Sequence, residues 1–289
     1  MVRMQIYRKS RISAPQGFFE CEGRGLQWLA QAQQAGGPRV VEVVDWSENY
    51  LNIERVQERQ ATADAAYNFG AALAKMHDFG AQYFGQAPDR YHGTCWFGPL
   101  QDPVPMDTGS WTDVVTYLVE GRLIPMVKIG MSRFELNDYD LQLTQDVAQA
   151  LPELLGKAAD DKPARVHGDL WAGNVMFTQR KPGQIDEDGT KTNSSANQSH
   201  QLRDTDIEAV LIDPAAHGGH REEDLAMLHL FGMRHLDAIM EGYQRVHPLK
   251  AGFEQRLTIW QLYPIAGHAV FFGGGYVNQY RSMCRSLLR

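Results

Sequence analysis

Little in this chain points to an oxidising compartment. The three cysteines, Cys21, Cys95 and Cys284, are far apart in sequence and form no CxxC pair, so a reducing cytoplasm is the simplest setting. No apolar run reaches the ~20 residues that span a bilayer, so no membrane association is expected. The opening MVRMQIYRKS lacks the apolar core of a secretory signal. Positive charge is also in short supply. The net charge of -7 disfavours a broad nucleic-acid surface but leaves room for a small anionic ligand at a local positive spot. No internal repeat is visible. What remains is 43% hydrophobic and 22% charged over 289 residues. That is a soluble globular composition, long enough for one large domain or two lobes.

The pattern of apolar residues predicts a small α+β unit followed by a larger helical one. MQIYRK alternates and reads as a strand ending near Lys9. Gly17 to Gln34 has helical spacing and is stopped by Gly36-Gly37-Pro38. Val40–Val44 and Leu51–Val56 read as strands joined by a turn near Asn49. Ala61–Phe79 is an alanine-rich helix, Gly80 to Ser110 a glycine- and proline-rich loop, and Trp111–Ile129 and Tyr139–Gly156 are helices. Short strands are expected at Arg165–His167, Asn174–Phe177 and Ile207–Ile212. The polar, aperiodic stretch 179–206 between them reads as a flexible insertion. After Asp224 the chain is helical, with breaks near Pro248 and Gly273-Gly274-Gly275. The division falls at about residue 57: residues 1–57 as an N-terminal lobe and 58–289 as a C-terminal one.

One stretch carries chemistry, ARVHGDLWAGNVMF, with Asp169 and Asn174 five residues apart between two apolar segments. Phosphoryl transfer needs a carboxylate beside the attacking hydroxyl and oxygen ligands for magnesium. Asp169 and Asn174 supply both at the spacing of a kinase catalytic loop. A second carboxylate belongs at the end of a nearby strand, and Asp213 follows Val210-Leu211-Ile212. Upstream, Lys9 ends the first strand, and Glu20 and Glu22 lie early in the next helix. An aspartate beside a glycine is most often only a turn residue, so the functional reading rests on these elements together and in order.

These segments resemble a known family. HGDLWAGN, IDPAAHGGHREEDLAML and GFEQRLTIWQLYP are similar to the fructosamine kinases, ketoamine kinases related to aminoglycoside phosphotransferases and choline kinases. The resemblance runs from about Tyr7 to the C-terminus. It implies a two-lobed, protein-kinase-like α+β fold and ATP-dependent phosphorylation of a sugar hydroxyl on a fructosamine or ribulosamine, free or protein-bound. It implies Asp169 as catalytic base, Asn174 and Asp213 as Mg2+ ligands and Lys9 on the ATP phosphates with Glu22 as its partner. LNIERV becomes the hinge where backbone groups, those of Glu54 among them, meet the adenine. Trp171 and His220 are expected near the sugar. One departure stands out: only eight residues precede Lys9, none of them glycine, where the family carries a strand pair with a glycine-rich or Ser/Gly loop over the phosphates.

Other readings compete. A different acceptor, an aminoglycoside or choline, keeps the same machinery. A nucleotide-binding pseudokinase has the missing loop in its favour and the intact Asp169, Asn174 and Asp213 against it. A metallophosphoesterase would place a histidine after Gly173-Asn174, where Val175 stands. Zinc at His217, His220, His229 and His235 is disfavoured, because His229 and His235 face different sides of a helix and Gly218-Gly219 read as a tight turn. Asp224 is expected to be buried and to accept backbone N–H bonds from the catalytic loop, or to cap its helix. His77 is read as a satisfied, half-buried histidine. The aromatics Trp260, Tyr263, Phe271, Phe272 and Tyr276 are expected to be mostly core, with one or two lining an acceptor pocket.

Overall fold

The computed structural model describes residues 4–180 and 206–289. The chain opens with strand β1 (Ile6–Ser10), helix α1 (Phe18–Ala30), then β2 (Arg39–Val40), β3 (Val43–Ser47) and β4 (Tyr50–Glu54). Strands β1, β4 and β3 form an antiparallel sheet in that order, with β1 at its edge among the described residues. The expected strand Val40–Val44 is split. Arg39 and Val40 run parallel to β9 (Ile207–Leu211) in a second sheet, β2-β9-β8, and only Val43 onward pairs with β4. The second sheet takes β8 (Val175–Gln179) antiparallel to β9. The first 57 residues are therefore tied to the rest by strand pairing as well as by packing. Phe19, Leu29 and Leu51 share one core with Phe69, Leu73, Val210 and Tyr243.

Helix α2 (Ala63–Phe79) starts where Thr62 accepts a hydrogen bond from the Ala65 N–H at 3.2 Å, an N-cap that satisfies one orphan donor. It crosses α7 (Leu236–Val246) at two glycines. A Cβ on Gly70 would overlap the Ile239 carbonyl, and one on Gly242 the Tyr67 carbonyl. Close backbone approach explains both. The stretch expected to be loop holds a short hairpin, β5 (Cys95–Phe97) with β6 (Val104–Met106). The helix expected from Trp111 begins at α3 (Val114–Leu118), widens through a π turn at Val119–Leu123 and continues as α4 (Ile124–Ser132). Helix α5 (Asp138–Leu155) opens with a capping box between Asn137 and Asp140.

Strand β7 (Ala164–Val166) pairs with β10 (His217–Gly219), so Gly218 and Gly219 are strand residues rather than a turn. A Cβ on Gly218 would strike the Tyr83 carbonyl. Four helices close the chain: α6 (Arg221–Leu230), α7, α8 (Phe253–Phe272) and α9 (Gly275–Leu287). The break between α6 and α7, at Phe231–His235, had no signal as strong as a proline; Gly232 and His235 take positive φ there. Helix α8 has buried residues along its whole length. It forms a second core with α3, α4, α5 and α9. The expected insertion lies, apart from its ends, outside the described residues; those ends meet where the Arg180 N–H donates to the Asp206 carbonyl at 2.7 Å.

Candidate active site

The turn between β7 and β8 is shaped by the residues that spell it. Gly168 has φ +80°, and a Cβ there would overlap the Ala215 carbonyl, so only glycine fits. The N–H groups of His167 and Gly168 donate to the two oxygens of Asp224 at 2.7 and 2.9 Å. Asp224 is buried, as the sequence suggested, while the cap of α6 is His220. Behind Asp224 stands His77, its Nε2 at 3.1 Å from the carboxylate and its Nδ1 at 2.8 Å from the Tyr243 hydroxyl. His77 is thus satisfied, but fully buried rather than half-buried. Burial lowers its pKa, with Asp224 opposing. A neutral ring donates from Nε2 to Asp224 and accepts the tyrosine proton at Nδ1. Asp224 itself is held below the usual carboxylate range: burial, which would raise it, is outweighed by His77, by His167 and by the bond from the His167 backbone.

This clamp presents Asp169 to a cleft. The Asn174 amide donates to the Asp169 carbonyl at 2.7 Å and to its carboxylate at 3.0 Å, and lies 3.4 Å from the Asp213 carbonyl. Burial pushes Asp169 up to about 7; Asn174 and Lys9 oppose this and the Asp213 charge adds to it. Asp213 follows β9 with φ +51°, a left-handed conformation that aspartate tolerates better than most residues and that recurs at functional sites. Across the cleft Lys9 donates to Glu22 at 2.9 and 3.1 Å and pairs with Asp213 at 3.3 Å. Burial would lower the Lys9 pKa, but Glu22 and Asp213 together raise it. Glu22 is pushed up to about 7 by burial, with Lys9 opposing. The choice of Glu22 over Glu20 agrees with this geometry: Glu20 pairs with Arg24 at 3.6 Å instead.

Lys9, Glu22, Asp169, Asn174, Asp213 and Trp171 line one cavity of about 630 Å3, a size suited to a small-molecule site. Its far wall is aromatic. Trp171 meets Phe231 at 6.3 Å between ring centroids, Phe231 meets His268 at 4.9 Å, and His268 meets Tyr276 at 5.0 Å and Phe272 at 5.6 Å. Trp171 is 40% exposed and covers Gly173, where a Cβ would strike its ring. Of the C-terminal aromatics, Trp260 and Tyr263 are core, whereas Phe271, Phe272 and Tyr276 face the cavity. Phe231, His268 and the segment from Phe97 to Gln101 also line it. The sequence reading missed these, because a rim drawn from helix ends and a loop has no period. The Arg11 guanidinium, which reaches the Leu100 carbonyl at 2.5 Å, ties that segment to β1.

Two expected site residues lie elsewhere. His220 is fully buried, stacked on Trp260 at 4.4 Å, with its Nε2 at 3.0 Å from the Ala158 carbonyl. It caps α6 through a bond from the Glu222 N–H and does not reach the sugar side of the cleft. The Glu54 side chain pairs with Arg39 at 2.5 Å, and the Glu54 N–H donates to the Glu42 carbonyl. That N–H is engaged in strand pairing, and Glu54 is absent from the lining of the cleft. The oxygen donors of Asn174 and Asp213 are the hard ligands that suit Mg2+, and the mutual repulsion of Asp169 and Asp213 is what a bound cation would relieve.

A probable ketoamine kinase of Synechocystis sp. is 30% identical over 276 residues, spanning 94% of this chain and 79% of the relative. The crystal structure of a chain assigned as fructosamine-3-kinase from Thermobifida fusca superposes with a TM-score of 0.79 at 35% identity, covering 99% of this chain and 86% of that one. A choline kinase of Streptococcus pneumoniae, at 12% identity and TM-score 0.55 over 99% of this chain and 87% of its own, shares the fold, a two-lobed protein-kinase-like one. The sequence model of the fructosamine kinase family matches residues 4–289, and the chain belongs to that family.

Proposed function

We propose that the protein transfers the γ-phosphoryl group of ATP to a sugar hydroxyl of a ketoamine, a fructosamine or ribulosamine, with the hydroxyl at carbon 3 as acceptor. The observation that carries this reading is the convergence of Lys9, Glu22, Asp169, Asn174 and Asp213 on one cavity whose other wall is aromatic. The nucleotide lies between residues 1–57 and 58–289, with Lys9 on its phosphates and Glu22 fixing the lysine. Mg2+ held by Asn174 and Asp213 would offset negative charge on the phosphates. Asp169 orients the acceptor hydroxyl and takes its proton, and its raised pKa makes it a better base than an ordinary carboxylate. Trp171 and its aromatic neighbours pack on the apolar face of the sugar and exclude water. Most of the rate enhancement then comes from position and electrostatics. Such a reaction begins the removal of early glycation products. Unpaired Cys21, Cys95 and Cys284 support a reducing cytoplasm as its setting.

The test is ADP release from Mg-ATP with fructosyl-lysine, ribulosyl-lysine, an aminoglycoside and choline, with Asp169→Asn as control. Turnover on a ketoamine, lost in the variant, is the expected result. Turnover on the aminoglycoside or choline alone would move the acceptor. Nucleotide binding without turnover on any of them would favour a pseudokinase.

A further inference from the structure

Cys21 and Cys95 are 74 residues apart in sequence, yet their sulfurs are 3.2 Å apart. Cys21 sits on α1, one residue before Glu22, and lines the cleft. Cys95 begins β5, is fully buried and packs behind it. We propose that these two thiols are a reversible oxidation site, closing an intramolecular disulfide in the wall of the active-site cleft that lowers turnover. The consequence for turnover rests on the kinase reading above; the disulfide itself does not.

The geometry sets up the pair. The S–H of Cys21 points at the Cys95 sulfur. That bond holds the Cys95 thiol below its usual range, where burial opposes and the Arg122 guanidinium adds to the lowering, and together with burial it pushes the Cys21 thiol well above its own. Arg122 is buried, with its Nε and Nη2 lacking hydrogen-bond partners among the described residues, so its charge acts in a low-dielectric setting. One sulfur therefore lines the cavity, where a small oxidant arrives, and the more readily ionised one stands directly behind it. Cys284, the third cysteine, is buried beside Tyr280 in α9 and has no thiol neighbour.

Hydrogen peroxide is the oxidant class. The Cys95 thiolate attacks it and becomes a sulfenic acid, and the hydroxide released takes up the proton that Cys95 had lost, giving water. The Cys21 sulfur then attacks the Cys95 sulfur, the S–S bond forms, and the departing hydroxide takes the Cys21 proton, giving a second water. Two electrons leave the sulfur pair and one peroxide becomes two waters. A disulfide needs sulfurs at about 2.05 Å, so closing a 3.2 Å gap draws the two sulfurs together by roughly 1 Å and pulls on α1 and β5. Glu22, which fixes Lys9, is the next residue on that helix. A shift of roughly 1 Å in catalytic positioning can lower a rate by about 100-fold, so a loss of about tenfold is expected here.

The experiment treats the full-length chain with hydrogen peroxide, blocks remaining thiols with N-ethylmaleimide and maps the peptides without reduction. A Cys21–Cys95 cross-link, opened by dithiothreitol, with Cys284 alkylated throughout, is expected. Turnover should fall about tenfold and recover on reduction, while whatever activity C95A has should not respond to peroxide. Both thiols alkylated after peroxide, cross-links between chains only, or a Cys21–Cys95 cross-link with unchanged turnover would each overturn the proposal. Because the peptide map does not depend on any acceptor, failure of the thiol pair and failure of the ketoamine reading are separable.

Discussion

The two walls of the cleft are built differently. The polar wall is fixed several times over: Asp169 is held by Asn174, its loop by the Asp224 carboxylate, Asp224 by His77, and His77 by Tyr243. Asn174, Asp224, His77 and Tyr243 are buried, so each unmade bond among them would cost about 1–3 kcal/mol. The aromatic wall is held more loosely, with one bond from the His268 ring to the Pro264 carbonyl at 2.8 Å. Trp171 and Phe231 are 40% and 38% exposed and Phe272 is 62% exposed, and they touch only through ring edges and faces. In the proposed reaction, chemistry that needs sub-ångström placement would sit on the over-determined side. Recognition of an acceptor, which tolerates adjustment, would sit on the other.

Breaking the polar wall at its tip should have the largest effect. Asp169→Asn keeps the shape and removes the base, so kcat should fall by about 10^3-fold with ATP affinity little changed; near-normal turnover in steady-state assays would remove Asp169 from the mechanism. Asp213→Ala should abolish Mg2+-dependent nucleotide binding, read by calorimetry with and without the metal. One layer further back, Asp224→Ala strips two buried N–H groups and His77 of their acceptor. It should destabilise the fold by about 3 kcal/mol and lower kcat together. Loss of stability without loss of kcat in the folded fraction would show that the clamp supports the core and not the loop.

The aromatic wall should respond more mildly. Trp171→Ala should raise KM for a ketoamine about tenfold while kcat changes less, the signature of lost uniform binding; a matching fall in kcat would place Trp171 on the positioning side instead. The smallest effect is on stability against pH. His77 and His167 are buried, and burial lowers both pKa values despite opposing partners. The unfolded chain therefore takes up protons that the folded chain refuses. Stability is flat above the unfolded histidine pKa and falls as pH drops below about 6.5, by up to about 1.4 kcal/mol per pH unit for each histidine. Denaturant melts between pH 5 and 8 read this directly, and His77→Gln should reduce the slope.

Much of the polar wall was legible because its residues are close in sequence or end a predicted strand. Lys9 after an alternating run, Asp169 and Asn174 in one turn, and Asp213 after Val210-Leu211-Ile212 each had a local reason to point into a cleft. Glu22 was chosen by resemblance, and the 2.9 Å bond to Lys9 agrees. Where the reading failed, the residue's role was set by what packs on it. His220, next to two glycines, looked like a site residue, but Trp260, 40 residues further on, stacks over it and buries it. Glu54 lay on the expected hinge, but Arg39 captures its carboxylate and Glu42 its N–H. Val40 looked continuous with Val44, yet β9, from the far side of the insertion, recruits it into another sheet.

By itself the sequence determined the periodic elements, the order of the residues proposed for phosphoryl transfer and the burial of Asp224, since hydrophobic period, turn chemistry and capping act within a few residues. Only the tertiary structure decided which aromatics leave the core for the cavity, that Cys21 and Cys95 touch, and that His77 stands behind the catalytic loop. The cysteine contact joins residues 74 apart and the His77–Asp224 contact residues 147 apart. Long-range pairings of this kind are fixed by how all the helices and sheets pack at once, so no local stretch of sequence encodes them.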